Sequence, residues 1–198
     1  MEKLYHDCQD FHIQLLRCIA IGYKLSDEEL SGRCLMNSAE LRLNHYPETS
    51  SSVLSSGAFR ISEHSDFGTV TLLFQDSVGG LQVENQAETG AFIPVEPEDP
   101  YEMIVNIGDC LQRWSDGRLR SANHRVVLPT EARSCAENII PDRYSIAYFG
   151  KPNRNELVNS LPCFLSQRSG GRYHDDLTAW QYNQSKLLQT YDVNVSAM

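Results

Sequence analysis

The first part of the chain carries hydrophobic residues at steps of three and four, which is the period of one face of an α-helix. This pattern runs from Leu4 to Gly22 and predicts one long amphipathic helix that ends near the glycine. One face of this helix is expected to pack on a larger body. The positions of the stripe are Leu4, Cys8, Phe11, Leu15, Cys18, Ile19 and Gly22.

From Leu41 onward the period changes to two, so that apolar and polar residues alternate as they do in half-buried β-strands. Turn signals separate the short runs, and Gly79-Gly80 and Asp116-Gly117 are predicted as hairpin turns. This spacing is typical of an all-β barrel or a double-sheet jelly roll. The predicted strands are 41–46, 56–66, 69–75, 79–85, 90–97, 101–109, 110–114, 121–129 and 143–150.

The end of the chain returns to a helical pattern. Residues 152–172 are expected to form a loop, and 175–191 a closing helix capped by Asp175 or Asp176. A chain of 198 residues fits one globular domain with a sizeable core. The pattern as a whole predicts a mainly-β fold with a long N-terminal helix and a C-terminal helix.

Charge and cysteine usage narrow the classes of function. The formal net charge is -9 and the basic residues are scattered, which argues against a nucleic-acid partner. The hydrophobic run that follows the charged N-terminus is too short for a signal segment or a membrane span, so a cytoplasmic location without membrane association is expected. The six cysteines show no C-x-x-C spacing and are interpreted as free, buried thiols.

A histidine and a carboxylate stand two positions apart at the end of a predicted strand. Because side chains alternate across a strand, His64 and Asp66 share one face. His124 is the one histidine in a late strand. Two imidazoles and one carboxylate suit Fe(II) and leave three coordination positions open, as non-haem Fe(II) oxygenases require. An H-x-D pair alone is also common at ordinary strand ends, so the metal site is a hypothesis.

A second pair lies two positions apart on the last predicted strand. Arg143 and Ser145 place a guanidinium and a hydroxyl on the same face. A planar guanidinium is suited to hold a distal carboxylate through two hydrogen bonds, with the hydroxyl as a further donor. The alternative is a structural salt bridge beside a surface serine.

Four motifs in this order resemble a known family. The stretches "HSDFGTVTLLFQD", "GGLQV", "VNIGDCLQRWSDGRLRSANHRV" and "RYSIAYF" are similar to those of the Fe(II)/2-oxoglutarate-dependent dioxygenases of the isopenicillin N synthase-like type. The resemblance covers roughly residues 41 to 150. It implies a double-stranded β-helix, a distorted jelly roll, with the metal at its open end.

The resemblance also implies roles for single residues. The H-x-D…H triad of the family falls on His64, Asp66 and His124, which would hold Fe(II). Its R-x-S pair falls on Arg143 and Ser145, which would bind 2-oxoglutarate. The segment "NHYP" resembles a further element, so Asn44 and Tyr46 are secondary candidates for contacting the keto acid. An asparagine and a tyrosine beside a proline turn are also common structural residues.

The implied activity is the oxidation of a small-molecule metabolite by dioxygen, through hydroxylation, desaturation or cyclisation. Fe(II) and 2-oxoglutarate are the implied cofactor and co-substrate, with release of succinate and carbon dioxide. Two alternatives stay open. One is an oxidase like isopenicillin N synthase, which uses no keto acid, and the other is a non-catalytic relative with a binding or regulatory role.

The chain departs from the family pattern in two places. Nineteen positions separate His124 from Arg143, so residues 130–142 are expected to loop out between strands. The chain also begins at the long helix, so residues 1–198 are expected to form a single dioxygenase domain that lacks the N-terminal region of the family. Exposed barrel surface and self-association are the predicted consequences.

Overall fold

Two four-stranded antiparallel sheets form the body of the protein in the computed structural model, which describes residues 1–50, 59–99, 101–127, 139–165 and 171–195. The helices are α1 (Glu2–Gly22), α2 (Glu28–Ser31), α3 (Asp109–Trp114) and α4 (Ala179–Val195), with short 3-10 helices at Gly32–Cys34 and Pro162–Phe164. The strands are β1 (Glu40–Tyr46), β2 (Thr49–Ser50), β3 (Ile61–His64), β4 (Val70–Gln75), β5 (Leu81–Glu84), β6 (Phe92–Pro94), β7 (Ile104–Ile107), β8 (His124–Val126), β9 (Ile139–Ile140) and β10 (Arg143–Gly150).

The order of the strands confirms the predicted architecture. The first sheet runs β1-β10-β4-β7 and the second runs β3-β8-β5-β6, while β2 and β9 form a short separate pair. Apart from β5 and β6, neighbours in the two sheets are far apart in sequence, as in a jelly roll whose chain passes back and forth between two sheets. The fold is therefore mainly β, a double-stranded β-helix with a long N-terminal helix and a C-terminal helix.

Helix α1 begins and ends close to the predicted positions, but it is rotated relative to the predicted stripe. Its buried line is Cys8, His12, Leu16 and Ala20, whereas Phe11 is 43% exposed and Cys18 is also exposed. The helix packs on one face of the first sheet, within the main hydrophobic core. A histidine can be buried against this face because the sheet supplies a hydrogen-bond partner for its ring.

The partner of His12 is a threonine at the start of the first sheet. His12 Nε2 lies 2.8 Å from Thr69 Oγ1, and this hydroxyl donates to the carbonyl oxygen of Gly150 at 3.0 Å. A Cβ at Gly150 would lie 2.5 Å from His12 Nε2, so only glycine lets the ring approach the strand so closely. Burial lowers the pKa of His12 to about 4, so the ring is neutral at physiological pH.

The predicted strand over residues 110–114 is wrong, because this segment forms helix α3. Over only five residues, the apolar positions fit both the period of two of a strand and the period of three to four of a helix, and tertiary contacts decide between them. The Asp109 amide donates to the carbonyl oxygen of Asp66 at 2.7 Å, and the Cys110 amide donates to that of Gly68 at 2.8 Å. A Cβ at Gly108 would lie 2.5 Å from the Gly68 carbonyl oxygen. The first turn of α3 is thus fixed against the segment that follows β3.

The two predicted turns form, but neither joins a hairpin. Gly79 and Gly80 adopt φ values of +78° and +89° and carry the chain from β4 in the first sheet to β5 in the second. Asp116 and Gly117, at φ values of +55° and +80°, end helix α3, and the Gly117 amide donates to the carbonyl oxygen of Gln112. Both turns need the left-handed backbone region that glycine favours.

The C-terminal helix is confirmed, but its cap is not an aspartate. Thr178 Oγ1 accepts from the Gln181 amide at 3.2 Å, and Gln181 Oε1 accepts from the Thr178 amide at 3.0 Å. This reciprocal pair is a capping box. Asp175 instead accepts from Arg113, and Asp176 accepts from Asn159.

Other predictions hold in part. In the loop expected over residues 130–142, residues 139–140 form strand β9. The described part of the chain does not include 56–58, 128 and 129 of the predicted strands or 130–138 of this loop.

The five cysteines that the structure describes are free, with Cys18 and Cys163 exposed rather than buried. Among the described helices, none has the length and apolar character needed to cross a membrane. The cytoplasmic location, the single-domain boundary and self-association remain predictions.

Candidate metal and keto-acid site

The structure brings the three predicted metal ligands together at the mouth of the β-helix. His64 ends β3, His124 begins β8, and the two residues are direct partners across these antiparallel strands. The Nε2 atoms of His64 and His124 lie 4.0 Å and 3.9 Å from Asp66 Oδ1. One ligand atom from each residue lies within 4.8 Å of the others, a spacing suited to one metal ion.

The backbone holds both histidines in the ligating orientation. Nδ1 of His64 lies 2.8 Å from the carbonyl oxygen of Ser62, and Nδ1 of His124 lies 2.9 Å from that of Ala122. A carbonyl oxygen can only accept, so Nδ1 carries the proton and the Nε2 lone pair faces the site. Burial and the nearby His124 lower the pKa of His64, which favours the neutral form that binds metal.

Two polar side chains orient the buried carboxylate. Thr71 Oγ1 donates to Asp66 Oδ2 at 2.7 Å, and Asn106 Nδ2 donates to the same oxygen at 2.8 Å. Thr71 and Asn106 are direct partners across β4 and β7. The other oxygen, Oδ1, is thereby left facing the two histidines. The sequence reasoning missed both donors, although Thr71 and Asn106 each lie inside one of the motifs quoted above.

The predicted keto-acid residues form two direct cross-strand pairs. Tyr46 on β1 lies opposite Arg143 on β10, and Asn44 lies opposite Ser145. The Arg143 guanidinium carbon is 4.9 Å from the centre of the Tyr46 ring, and Asn44 Nδ2 is 3.3 Å from Ser145 Oγ. Alternation along both strands thus gathers all four side chains on one face.

Arg143 is buried, and one nitrogen of its guanidinium has no hydrogen-bond partner among the described residues. Its Nε donates to the carbonyl oxygen of Gly79 at 3.1 Å, and its Nη2 donates to Gln75 Oε1 at 2.6 Å. Nη1 is buried and has no hydrogen-bond partner among the described residues. A buried cationic nitrogen without a partner is costly, so this atom indicates an anionic ligand that completes its hydrogen bonds.

One cavity of about 450 Å³ contains both groups of residues. All seven predicted site residues line it, and much of the remaining wall is apolar. The apolar lining residues are Ile61, Leu73, Leu81, Val83, Val95, Ile104, Val105, Ile107, Ala122, Val126, Ala147 and Phe149. The cavity therefore offers a site for a metal, an anion site and an apolar wall within reach of one small molecule.

The donor set of this cavity fits Fe(II). Two neutral imidazoles and one carboxylate supply three ligand atoms and leave room for further ligands on the cavity side. The free Nη1 of Arg143 fits the second carboxylate of a keto acid whose other end binds the metal.

Comparison with known proteins gives the same family as the motifs. The family model of the 2OG-Fe(II) oxygenase superfamily matches residues 37–152, which include all seven predicted site residues. The 2-oxoglutarate-dependent dioxygenase frbA of Dothideomycetidae sp. (strain 11243) is 60% identical over 197 residues, which cover 100% of this chain and 58% of that protein. The proline hydroxylase buaE of Petromyces alliaceus is 54% identical over 191 residues, which cover 96% of this chain and 59% of that protein.

A solved structure supports the fold. The crystal structure of a full-length protein from Neurospora crassa in complex with alpha-KG matches with a TM-score of 0.86 and 36% sequence identity. The match covers 96% of this chain and 56% of that chain. The chain thus spans less than two thirds of the length of each of these three proteins.

Proposed function

We propose, from the premise that this chain belongs to the 2OG-Fe(II) oxygenase superfamily, that it is an Fe(II)- and 2-oxoglutarate-dependent oxygenase that oxidises a small-molecule metabolite. One observation carries this proposal: three metal-ligand atoms and an unpaired buried guanidinium nitrogen line the same cavity. His64, Asp66 and His124 would hold the iron.

Arg143 would fix the keto acid in this cavity. Its Nη1 would donate to the carboxylate far from the metal, and the Ser145 hydroxyl on the same face would be a second donor. Asn44 would hold the Ser145 hydroxyl in place, since its amide is 3.3 Å from that oxygen. The Tyr46 ring would cover the guanidinium, which keeps the anion site free of bulk water.

Bound iron and 2-oxoglutarate would supply the activation of dioxygen, coupled to decarboxylation of the keto acid to succinate and carbon dioxide. The protein would position the metal ligands and the substrate. Thr71 and Asn106 hold one oxygen of Asp66, so that the other stays aimed at the metal. The apolar wall, which includes Leu73 and Phe149, would exclude water and place a C–H bond of the substrate near the metal.

The names of the relatives suggest which outcome to test first. One relative is named a proline hydroxylase and another a 2-oxoglutarate-dependent dioxygenase. We infer that hydroxylation is the first reaction to look for in this chain, with proline among the first substrates, ahead of desaturation and cyclisation.

The deciding experiment is an anaerobic titration of the purified 198-residue chain with Fe(II) and then with 2-oxoglutarate. We expect a weak visible metal-to-ligand absorption band that needs both additions, and succinate release once air is admitted with a substrate. Failure to bind either ligand would overturn the proposal. Substrate oxidation without succinate would favour the oxidase, and stable binding without any turnover would favour a binding or regulatory protein.

A further inference from the structure

Two arginines at the mouth of the cavity have no role in the chemistry proposed above. Arg42 and Arg120 are both exposed, yet both line the cavity that contains the metal ligands. Arg42 lies on β1, two positions before Asn44 and on the same face. Arg120 lies in the segment between α3 and β8, shortly before His124. The two side chains therefore approach the cavity from two different elements.

Neither arginine is fully neutralised by its surroundings. In the part of the chain that the structure describes, Arg120 forms no salt bridge within 4.0 Å. Arg42 Nη2 lies 2.6 Å from Glu40 Oε1, but Lys151 Nζ lies 2.9 Å from the other oxygen of the same glutamate. Glu40 thus faces two cations, and Arg120 attracts Glu84 only from beyond 4.0 Å. Neither glutamate lines the cavity, whose charged lining residues are Asp66 and three arginines, so the lining itself keeps an excess of positive charge.

The cofactors would not use this charge. Asp66 is the one acidic residue among the described residues that line the cavity, and it is a proposed metal ligand. The two charges of Fe(II) and that of Arg143 would balance Asp66 and the two carboxylates of 2-oxoglutarate. The excess of positive charge among the residues that line the cavity also contrasts with the formal net charge of -9 for the whole chain. An anion other than 2-oxoglutarate is the partner that this charge favours.

We propose that the substrate is a small carboxylic acid whose carboxylate is bound at the cavity mouth by Arg120, with Arg42 beside it. This inference rests on the proposed function. A planar guanidinium matches a carboxylate through two parallel hydrogen bonds, and Arg120 has its donors free for this among the described residues. The body of the substrate would lie on the apolar wall. Phe149 belongs to that wall, and its ring centre lies 5.1 Å from the Arg42 guanidinium carbon.

Matched acids and amides test this proposal. Calorimetric titrations use the chain loaded anaerobically with Fe(II) and saturating 2-oxoglutarate. The probes are cyclopentanecarboxylate, benzoate and leucine, each beside its primary amide, which has nearly the same shape without the carboxylate charge. We expect at least one acid to bind about tenfold or more tightly than its amide, as for a hydrogen-bonded ion pair. The double variant Arg42→Gln/Arg120→Gln should lose this preference.

A surface control and a conservative variant sharpen the result. Lys3→Gln removes one positive charge from the exposed surface of α1 and should leave the preference unchanged. Arg120→Lys keeps the charge but loses the two-pronged geometry, so it should retain only part of the preference. This variant and the acid-amide comparison in the parent chain keep the test decisive even if the double variant does not fold.

Several results would overturn the inference. Equal binding of every acid and its amide, with Fe(II) and 2-oxoglutarate still bound, would show that the mouth does not select carboxylates. A preference that survives in the double variant would remove the two arginines from the assignment. An acid that competes with 2-oxoglutarate would be binding at Arg143 instead. Loss of Fe(II) or 2-oxoglutarate binding in the parent chain would instead count against the proposed function itself.

Discussion

The two faces of the sheet β1-β10-β4-β7 are built from alternate residues of the same strands, yet one packs on the hydrophobic core of the protein and the other lines the cavity. On the face toward α1, Leu72 and Tyr148 are fully buried in the main core. On the cavity face, Arg143 and Ser145 are also buried, but Arg143 retains an unpaired nitrogen. The face that packs on α1 stabilises the fold, whereas the face that lines the cavity presents polar groups to a ligand.

The histidines of the molecule differ in what surrounds them. His12 on the helix side is held through Nε2 by Thr69, its Nδ1 is buried without a hydrogen-bond partner among the described residues, and burial keeps the ring neutral. His64 and His124 on the cavity side are oriented through Nδ1 alone, and their Nε2 atoms have no protein donor among the residues that the structure describes. The same residue type thus serves packing on one face and ligand binding on the other. Four predictions test this division, from the largest expected effect to the smallest.

Removing a metal ligand should have the largest effect. His124→Ala deletes one of three ligand atoms, so we expect tight Fe(II) binding to be lost. The matched control is His45→Ala, because His45 is exposed and stacks on Tyr144 on the opposite side of β1. Anaerobic Fe(II) titration of both variants checks this. Iron affinity in His124→Ala equal to that of the parent would remove His124 from the site.

Neighbouring leucines on β4 should separate stability from binding. Leu72 is fully buried in the helix-side core, so Leu72→Ala should lower the free energy of unfolding by about 3 kcal/mol or more. Leu73 lines the cavity and is only partly buried, so Leu73→Ala should cost less stability. Urea denaturation of the two variants measures the difference, and Fe(II) titration shows whether Leu72→Ala leaves the site intact. Equal losses of stability would contradict the division between the faces.

Arg143→Lys should weaken 2-oxoglutarate binding with little effect on the metal. Lysine keeps the charge but loses the planar set of donors, so we expect about 10- to 100-fold weaker keto-acid affinity. Fe(II) affinity in the same variant is the internal control, because Arg143 contacts Gln75 and Gly79 rather than the metal ligands. Unchanged 2-oxoglutarate affinity would place the anchor elsewhere or favour the oxidase.

The buried histidine on the helix side should make stability depend on pH. The pKa of His12 is about 4 in the folded chain and about 6.5 in the unfolded chain, so the unfolded state takes up the proton first as the pH falls. Its contribution is complete above pH 6.5 and is lost toward pH 4. In metal-free protein, we expect the stability advantage of the parent over His12→Gln to shrink by about 2 kcal/mol between pH 7 and pH 5.

His174→Gln is the control for this pH effect, because His174 is exposed near the C-terminal helix. Urea denaturation at several pH values compares the three proteins. A constant difference between the parent and His12→Gln across this range would show that His12 does not titrate as a buried neutral group.

The local sequence pattern determined the parts of the site that a single strand can place. Residues two positions apart share a face, so alternation alone put Arg143 beside Ser145 and Asn44 beside Tyr46. The period of three to four residues likewise located α1, and the order of the motifs identified the family. These features follow from backbone geometry, which each short segment carries within itself.

The tertiary structure decided everything that depends on contacts between distant segments. It paired His64 with His124, chose Thr71 and Asn106 as the donors to Asp66, and left Arg143 Nη1 unpaired among the described residues. It also made residues 110–114 a helix, although their pattern suits a strand equally well. A hydrophobic period locates an element but does not show what buries it, and in α1 it missed His12 on the buried side. The partners arise only when residues far apart in the chain pack against one another, and these contacts are what turn separate motifs into one site.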